Sequence, residues 1–183
     1  MRDRPLLSPW LMPVALAAPL QAFAVQYLTV EGAQQLMFPT ATEFRPRTLL
    51  LTAAQRDAIA RASDTKVRVA EVKCWEARGP QGPLGWVIVD EVVGKHEFIT
   101  YAVGVLPDGG LRQIEILDYR ETYGGQIRQP AWRAQFVGKK AADAVRVDHN
   151  IQNLAGATLS SIHVTDGVRR LLATHDLVLR SLP

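Results

Sequence analysis

The chain has 183 residues, of which 48% are hydrophobic and 21% charged, and its mean hydropathy is −0.01. These values are ordinary for a globular domain and argue against a polytopic membrane protein. The net charge of +3 comes without a dense block of Lys and Arg, so nucleic acid is not expected as a partner. The single cysteine, Cys74, excludes an internal disulfide, and the four scattered histidines give no reason to expect a metal site.

Residues 1–24 have the features of an export signal. Two arginines precede an apolar run over residues 11–23, and Ala22-Phe23-Ala24 matches a cleavage site before Val25. The run is shorter than the roughly 20 residues that span a bilayer, and two prolines interrupt it. We therefore predict a cleaved signal peptide and a periplasmic or otherwise exported protein. A retained membrane anchor is the alternative.

Residues 25–65 are predicted to form an N-terminal helical segment. The apolar spacing over residues 29–38 indicates a short amphipathic helix, which the following proline ends. Thr52 precedes a second helical pattern and has Gln55 three positions later, the arrangement of a capping box. We expect this second helix to begin after Thr52 and to end near Ser63.

From Lys66 the apolar residues alternate with polar ones, which is the period of a half-buried strand. Turns rich in Gly and Pro separate the strands, and Asp108-Gly109 has the composition of a tight hairpin turn. Consecutive strands joined in this way form an antiparallel meander. The predicted strands are 66–75, 86–89, Phe98–Val105 and Leu111–Tyr119.

After the meander, residues 120–128 are predicted to be a loop, 130–136 a short helix that begins with proline, and 144–147 a further strand. Residues 161–172 have apolar side chains near helical spacing and form the last predicted helix. No linker or internal repeat divides this part of the chain. We therefore predict one α+β domain, an antiparallel sheet with flanking helices, after the N-terminal signal segment.

The segment 152–161 is the most informative part of the sequence, because Ala-Gly-Ala leads there into a run of hydroxyl residues. It presents Thr158 at a helix start, where N–H groups without partners attract a phosphate. Gly156 and Ala157 let the backbone approach such a phosphate. Leu159, Ser160 and Ser161 supply further N–H groups and two hydroxyls. From spacing alone, an ordinary N-cap is the more common role for such a threonine.

Three blocks in this order resemble the FMN-binding domain family. That family includes one component each of the sodium-pumping quinone reductase and of the related ferredoxin–NAD reductase complex. The first block is the hairpin sequence over residues 84–97. The second is Arg-Glu-Thr-Tyr-Gly-Gly at 120–125 with the tryptophan-containing segment 132–139, and the third is Ala-Gly-Ala-Thr at 155–158. The resemblance covers about residues 84–172, and we place the FMN-binding domain at 66–183.

The resemblance implies that FMN is attached to Thr158 through a phosphoester bond. In this family a transferase moves FMN from FAD onto the threonine, so an FMN transferase is an expected partner. The resemblance also implies an electron carrier rather than an enzyme that turns over a small substrate. Redox proteins bound to a membrane are the other partners that it implies.

The second block is similar to the loop that lines the flavin ring in this family. A flavin ring requires backbone amides at its edge and an aromatic or apolar face, which a loop with tyrosine and two glycines supplies. A mobile surface loop is the alternative. The residues concerned are Glu121, Thr122, Tyr123, Gly124 and Gly125.

The sequence departs from the family at the attachment segment. The family has Asp six residues before the threonine, where this chain has Gln152, and Ser or Thr at the position of Ala155. A second hydroxyl position, often Thr, is Ser160. These departures leave two alternatives open, FMN held without a covalent bond and a flavin-binding or structural subunit of a membrane-associated complex without a redox role.

Overall fold

The structure, a computed structural model, describes residues 25–182, so the predicted signal segment lies outside the described residues. Six strands form one antiparallel sheet in the order β1-β6-β5-β4-β3-β2. The strands are β1 Val25–Gln26, β2 Glu43–Leu50, β3 Glu71–Gly79, β4 Gly82–Val93, β5 Phe98–Val105 and β6 Leu111–Tyr119. The helices are α1 Val30–Met37, α2 Ala53–Ser63, α3 Pro130–Ala134 and α4 Thr158–Leu177, with short 3-10 helices at Gly125–Arg128 and Leu179–Ser181. The predicted α+β class is confirmed.

The two ends of the sheet are named here after residues that lie there. At the Tyr119 end, Tyr119 pairs with Ile99 and Val93 pairs with Phe98, so the β4–β5 turn lies at this end. At the Gly109 end, the hairpin turn between β5 and β6 is closed by a glycine at φ +85°. Helix α4 begins near the Tyr119 end and runs along the sheet to His175, which lies close to Gly109.

The helices cover the sheet unequally. The main core lies between α2, α4 and one sheet face, where Tyr101, Ile88 and Val168 are fully buried. A smaller core lies on the opposite face under α1 and contains Met37 and Phe38. Since α1 has only eight residues, the opposite face is covered over only part of its length.

Two polar contacts fix α4 on the sheet. Arg170 and the Tyr101 hydroxyl both bind the carboxylate of Asp90, the hydroxyl at 2.9 Å. Arg169 is buried and donates to the carbonyl of Ser63 at the end of α2. The tyrosine reaches α4 at Gly167, where an added Cβ would overlap its hydroxyl oxygen. These contacts hold the middle of α4 in place on the sheet.

The segment 25–65, predicted to be helical, also contributes two strands to the sheet. The two helices form where expected, and the capping box at Thr52 and Gln55 has both of its hydrogen bonds. Strand β2 was missed because it is an edge strand that is exposed on most of both faces and lacks an alternating pattern. Its register with β3 places Pro46 at a position whose N–H would point away from the sheet, so no ladder bond is lost.

Three other predictions are corrected. Residues 144–147 form no strand, because the chain makes only an isolated bridge between Val147 and Ile151 there. Strand β3 begins at Glu71 rather than at residue 66. Helix α4 extends from Thr158 to Leu177, well beyond 161–172, because its last turns bury polar side chains that hide the apolar period.

Candidate functional site

A turn over residues 153–157 leads into α4 and places Thr158 at its first position. Gly156 adopts φ +80°, the left-handed region that favours glycine, and the Ala157 N–H donates to the Leu154 carbonyl at 2.9 Å. Ala157, not Thr158, is the N-cap residue. The interpretation of Thr158 as an ordinary N-cap is therefore wrong, because the glycine turn moves the helix start one residue earlier in the chain.

The start of α4 presents donors that no described residue accepts from. The N–H groups of Thr158, Leu159 and Ser160 have no hydrogen-bond partner among residues 25–182, and no side chain caps this helix end. The first turn carries no acidic residue, and Thr158 is exposed. Free N–H groups and the positive end of the helix dipole suit a phosphate, so these residues fit the phosphate end of FMN.

The two serines of the first turn direct their hydroxyls into the protein. Ser160 is buried and its Oγ lies 3.1 Å from the Tyr119 hydroxyl. Ser161 is fully buried and donates to Asn153 Oδ1 at 2.9 Å. Of the hydroxyls in this segment, only that of Thr158 lies on an exposed residue, because the other two fix the turn and the helix start to the sheet.

The loop over residues 120–125, called the glutamate-containing loop here, packs directly against the turn over residues 153–157. Gly124 has φ +94°, and an added Cβ would lie 2.5 Å from the Tyr119 hydroxyl and 3.3 Å from the Ala157 Cβ. The same hydroxyl donates to the Tyr123 carbonyl. Tyr119 therefore joins the two predicted site segments, and the close approach of their backbones requires a glycine at 124.

Glu121 faces the β4–β5 turn rather than α4. Its carboxylate accepts hydrogen bonds from the N–H groups of His96 and Glu97, the latter at 3.0 Å. Partial burial alone would raise the pKa of Glu121, but these N–H groups outweigh it and hold the pKa below its usual range. From α4, the ring of His163 contacts the carbonyls of Val93 and Gly94 at 2.6 and 3.0 Å. The turn is thus held from both sides.

The rest of the loop is open to solvent. Tyr123 is 83% exposed, and Thr122 and Gly125 are also exposed. An added Cβ at Gly125 meets no atom within 4 Å. The ring of Tyr123 is therefore available to a flat aromatic ligand beside Thr158. Thr158 and Tyr123 belong to segments that Tyr119 holds together. Glu121, in contrast, binds the β4–β5 turn.

The two departures from the family motif are exposed positions in and next to the turn over residues 153–157. Gln152 is exposed, and its backbone is held by the Trp132 indole N–H at 2.9 Å and by the Gln135 side chain at 2.7 Å. Ala155 is also exposed. Neither substitution disturbs the turn, because the backbone contacts do not use the side chains at these positions.

Two residues of the site could not be found by sequence reasoning. Tyr119 has the pattern of any inward-facing strand residue, and only its contacts with Ser160 and Tyr123 show its role. His163 is one of four scattered histidines without ligand spacing.

Among the helices of residues 25–182, none combines the length and apolar character that crossing a bilayer requires.

Comparisons with known proteins show what the chain is similar to. Residues 94–173 match the model of the family described as FMN-binding domain. The chain is 35% identical over 94 residues, 47% of its length and 50% of the relative's, to the subunit designated G of the proton-translocating ferredoxin:NAD(+) oxidoreductase complex of Clostridium ljungdahlii. It is 42% identical over 52 residues, 21% of its length and 20% of the relative's, to the subunit designated C of the Na(+)-translocating NADH-quinone reductase of Vibrio anguillarum.

The crystal structure of NqrC from Shewanella oneidensis has the same fold, with a TM-score of 0.50 and 16% identity over 76% of this chain and 80% of that chain. The chain spans 50% of the length of the Clostridium relative and 20% of the Vibrio relative. The match over 94–173 includes the β4–β5 turn, the glutamate-containing loop and the start of α4. Residues 94–173 therefore match the FMN-binding domain family, and this match together with the relatives supports FMN as the cofactor.

Proposed function

We propose that this chain is an electron carrier whose FMN is joined to the Thr158 hydroxyl by a phosphoester bond. The observation that carries this proposal is the position of Thr158. It is exposed at the first residue of α4, is not needed as a helix cap, and lies among three N–H groups without partners in residues 25–182. The relatives are subunits of oxidoreductase complexes, which supports electron transfer as the role.

The attachment step uses the chain as nucleophile and FAD as co-reactant. The Thr158 oxygen forms a bond to the phosphorus on the flavin side of FAD as the pyrophosphate bond breaks. AMP leaves, and the hydroxyl proton is released to solvent or to a base of the FMN transferase. The N–H groups of Leu159 and Ser160 are placed to receive the phosphoester charge at the helix start.

The exposed loop supplies the surface for the flavin ring. Tyr123 offers an aromatic face, Thr122 and Gly125 are exposed beside it, and Gly124 keeps this loop against the turn over residues 153–157. Bound FMN accepts and releases electrons one or two at a time. A shallow, solvent-facing site suits a carrier, because redox partners must bring their own cofactors close to it.

We further propose that the protein is exported and that its redox partners are bound to a membrane. The apolar run at residues 11–23 with its cleavage-site pattern supports export. A covalent bond would prevent loss of the cofactor outside the cytoplasm, where FMN is not resynthesised. The domain boundaries at residues 24 and 65 remain predictions of the sequence.

The alternative function is a flavin-binding or structural subunit without a redox role. Gln152 and Ala155 favour it, because a transferase that reads the usual Asp and Ser meets different side chains here. Both positions are exposed, as Thr158 is, so their side chains are accessible to a transferase. Non-covalent FMN in the same site is the intermediate case.

Intact mass of the protein, purified from a host that co-expresses an FMN transferase, tests these possibilities. We expect a gain of one FMN less one water, retained in Thr158→Ser and lost in Thr158→Ala. Thr48→Ala, which changes an exposed threonine on the edge strand, is the matched control and should keep the added mass.

The other outcomes reject parts of the proposal. A yellow protein of unmodified mass that loses its colour on denaturation and filtration would show non-covalent FMN. A colourless protein of unmodified mass would contradict the carrier function and leave the structural role. Reversible photoreduction of the loaded protein, followed by reoxidation with an added one-electron acceptor, then tests electron transfer itself.

A further inference from the structure

Exposed apolar side chains are concentrated at the Tyr119 end of the sheet. Four of them, Leu50, Val69, Val93 and Phe98, are between 38% and 71% exposed and are called the apolar rim here. Val93 and Phe98 are direct cross-strand partners, and Leu50 pairs with Glu71 on the adjacent edge of the sheet. With strands about 4.8 Å apart, the rim extends over roughly 14 Å.

The rim side chains are exposed because α1 covers only part of the sheet face on which it packs. Leu50, Val93 and Phe98 share the α1 face by their register, but α1 packs on residues nearer the middle, such as Val87 and Ala102. A cavity of about 890 Å³ opens beside the rim and has Val69, Val93 and Phe98 in its wall. Exposed apolar side chains that are grouped at one end of a sheet indicate an interaction site.

The rim lies at the same end of the molecule as Thr158. Tyr123 and Leu159, which are also exposed, lie at this end on the α4 side. In contrast, Val137 and Leu177 lie toward the Gly109 end, since the Gly138 N–H binds the Leu111 carbonyl and α4 ends there.

The chain enters the described structure at this end. Val25 pairs with Tyr119, so the first described residue, two positions after the apolar run 11–23, lies at the same end of the sheet as the rim and not at the opposite end. Arg68 and Lys95 flank the rim and form no ion pair with any residue of 25–182. The acidic Glu71 and Glu97 lie there too, so apolar contact rather than net charge must supply most of the attraction.

We propose that the apolar rim contacts the surface of a lipid bilayer, so that the Tyr119 end, with Thr158, faces the membrane. Aliphatic and aromatic side chains enter the boundary between headgroups and acyl chains, while Arg68 and Lys95 reach the lipid phosphates. The proposal does not depend on FMN, because none of the four rim residues belongs to the site at Thr158. Its consequence is that a cofactor at Thr158 would lie close to membrane-bound partners.

The test uses a thiol-reactive fluorophore on the full chain, with Phe98→Cys as the rim label and Leu177→Cys as the control label. Cys74 is 1% exposed, and burial raises the pKa of its thiol to about 11, so it stays unlabelled. The proteins are mixed with vesicles of phosphatidylcholine and phosphatidylglycerol that contain nitroxide-labelled lipid. We expect the rim label to be quenched several-fold more than the control label, whether or not residues 1–24 are retained.

Equal quenching at both labels, or none at either, would overturn the proposal. A second measurement uses Val69→Ser with Phe98→Ser in the unlabelled protein after signal cleavage. We expect its vesicle partition coefficient to fall about tenfold, and that of Val137→Ser with Leu177→Ser to stay unchanged. An equal fall of the partition coefficient for both pairs of substitutions would also reject the rim as the membrane-binding surface. Protein without FMN serves for both measurements, so failure here is distinct from failure of flavin attachment.

Discussion

Gly124→Ala tests whether the two segments of the candidate FMN site are joined as described. The added methyl group would lie 2.5 Å from the Tyr119 hydroxyl oxygen, and the residue would keep φ near +94°. An alanine in the left-handed region costs about 1 kcal/mol or more. The clash also displaces a hydroxyl that contacts both Tyr123 and Ser160.

The magnitude follows from these contacts. Loss of two hydrogen bonds costs about 1 kcal/mol each, and the backbone strain adds a similar amount. The free energy of unfolding should therefore fall by about 3 kcal/mol, which for a domain of this size lowers Tm by roughly 6–12 °C. FMN loading should fall as well, since Ala157 lies 3.3 Å from the added carbon and fixes the start of α4.

Urea unfolding followed by tryptophan fluorescence gives the free energy, and intact mass gives the loading. Gly125→Ala is the matched control: an added Cβ there meets no atom within 4 Å, so we expect a change below about 0.5 kcal/mol. A third variant combines Gly124→Ala with Tyr119→Phe. Without the hydroxyl, the cost of the alanine should shrink to the strain of about 1 kcal/mol.

Two results would refute this reasoning. Equal unfolding free energies for the alanine variants at 124 and 125 would show that the close approach is not present. An undiminished cost of Gly124→Ala in the Tyr119→Phe background would show that strain or the contact with Ala157, rather than the hydroxyl, decides the effect.

Further substitutions test the packing of α4, the contact of Glu121 with the β4–β5 turn, and the departures from the family motif at residues 152 and 155. Gly167→Ala should lower the free energy of unfolding by about 2–4 kcal/mol in urea titrations, because the methyl group overlaps the buried Tyr101 hydroxyl; an unchanged midpoint would contradict the packing. The pKa of Glu121 is lowered in the folded state, so its stabilising effect is full above the unfolded pKa and is lost as pH falls through the folded pKa. Glu121→Gln should thus be less stable than the parent at pH 7 and approach it near pH 3, and a constant difference in unfolding free energy would reject this. Gln152→Asp with Ala155→Ser should raise the fraction of chains that carry FMN in intact-mass spectra, and an equal fraction would show that the transferase does not read these side chains.

Local signals in the sequence predicted much of the fold. The capping box at Thr52 and Gln55, the hairpin turn at Asp108-Gly109 and the alternating strands β5 and β6 all depend on neighbours in the chain. Strand β2 could not be predicted, because its pairing with β3 gives it structure without a buried face of its own.

The site was predictable in composition but not in detail. The segment 152–161 and the loop 120–125 have recognisable sequences, and the structure brings Gly124 against Ala157. The contacts of individual side chains in these two segments depend on residues that are distant in the sequence. Glu121 binds the β4–β5 turn, and Ser160 meets Tyr119 across 41 positions of the chain. No local pattern distinguishes these residues from exposed polar ones.

The proline in the middle of β2 has a consequence for behaviour at high protein concentration. Strand β2 is one of the two edge strands of the sheet, and a foreign strand that paired there would find no donor at Pro46. One carbonyl of the incoming strand would then be left without a partner inside the new ladder, at a cost of about 1–3 kcal/mol. The edge is thus a poor template for fibril growth, and self-association of this chain should not proceed by strand addition at β2.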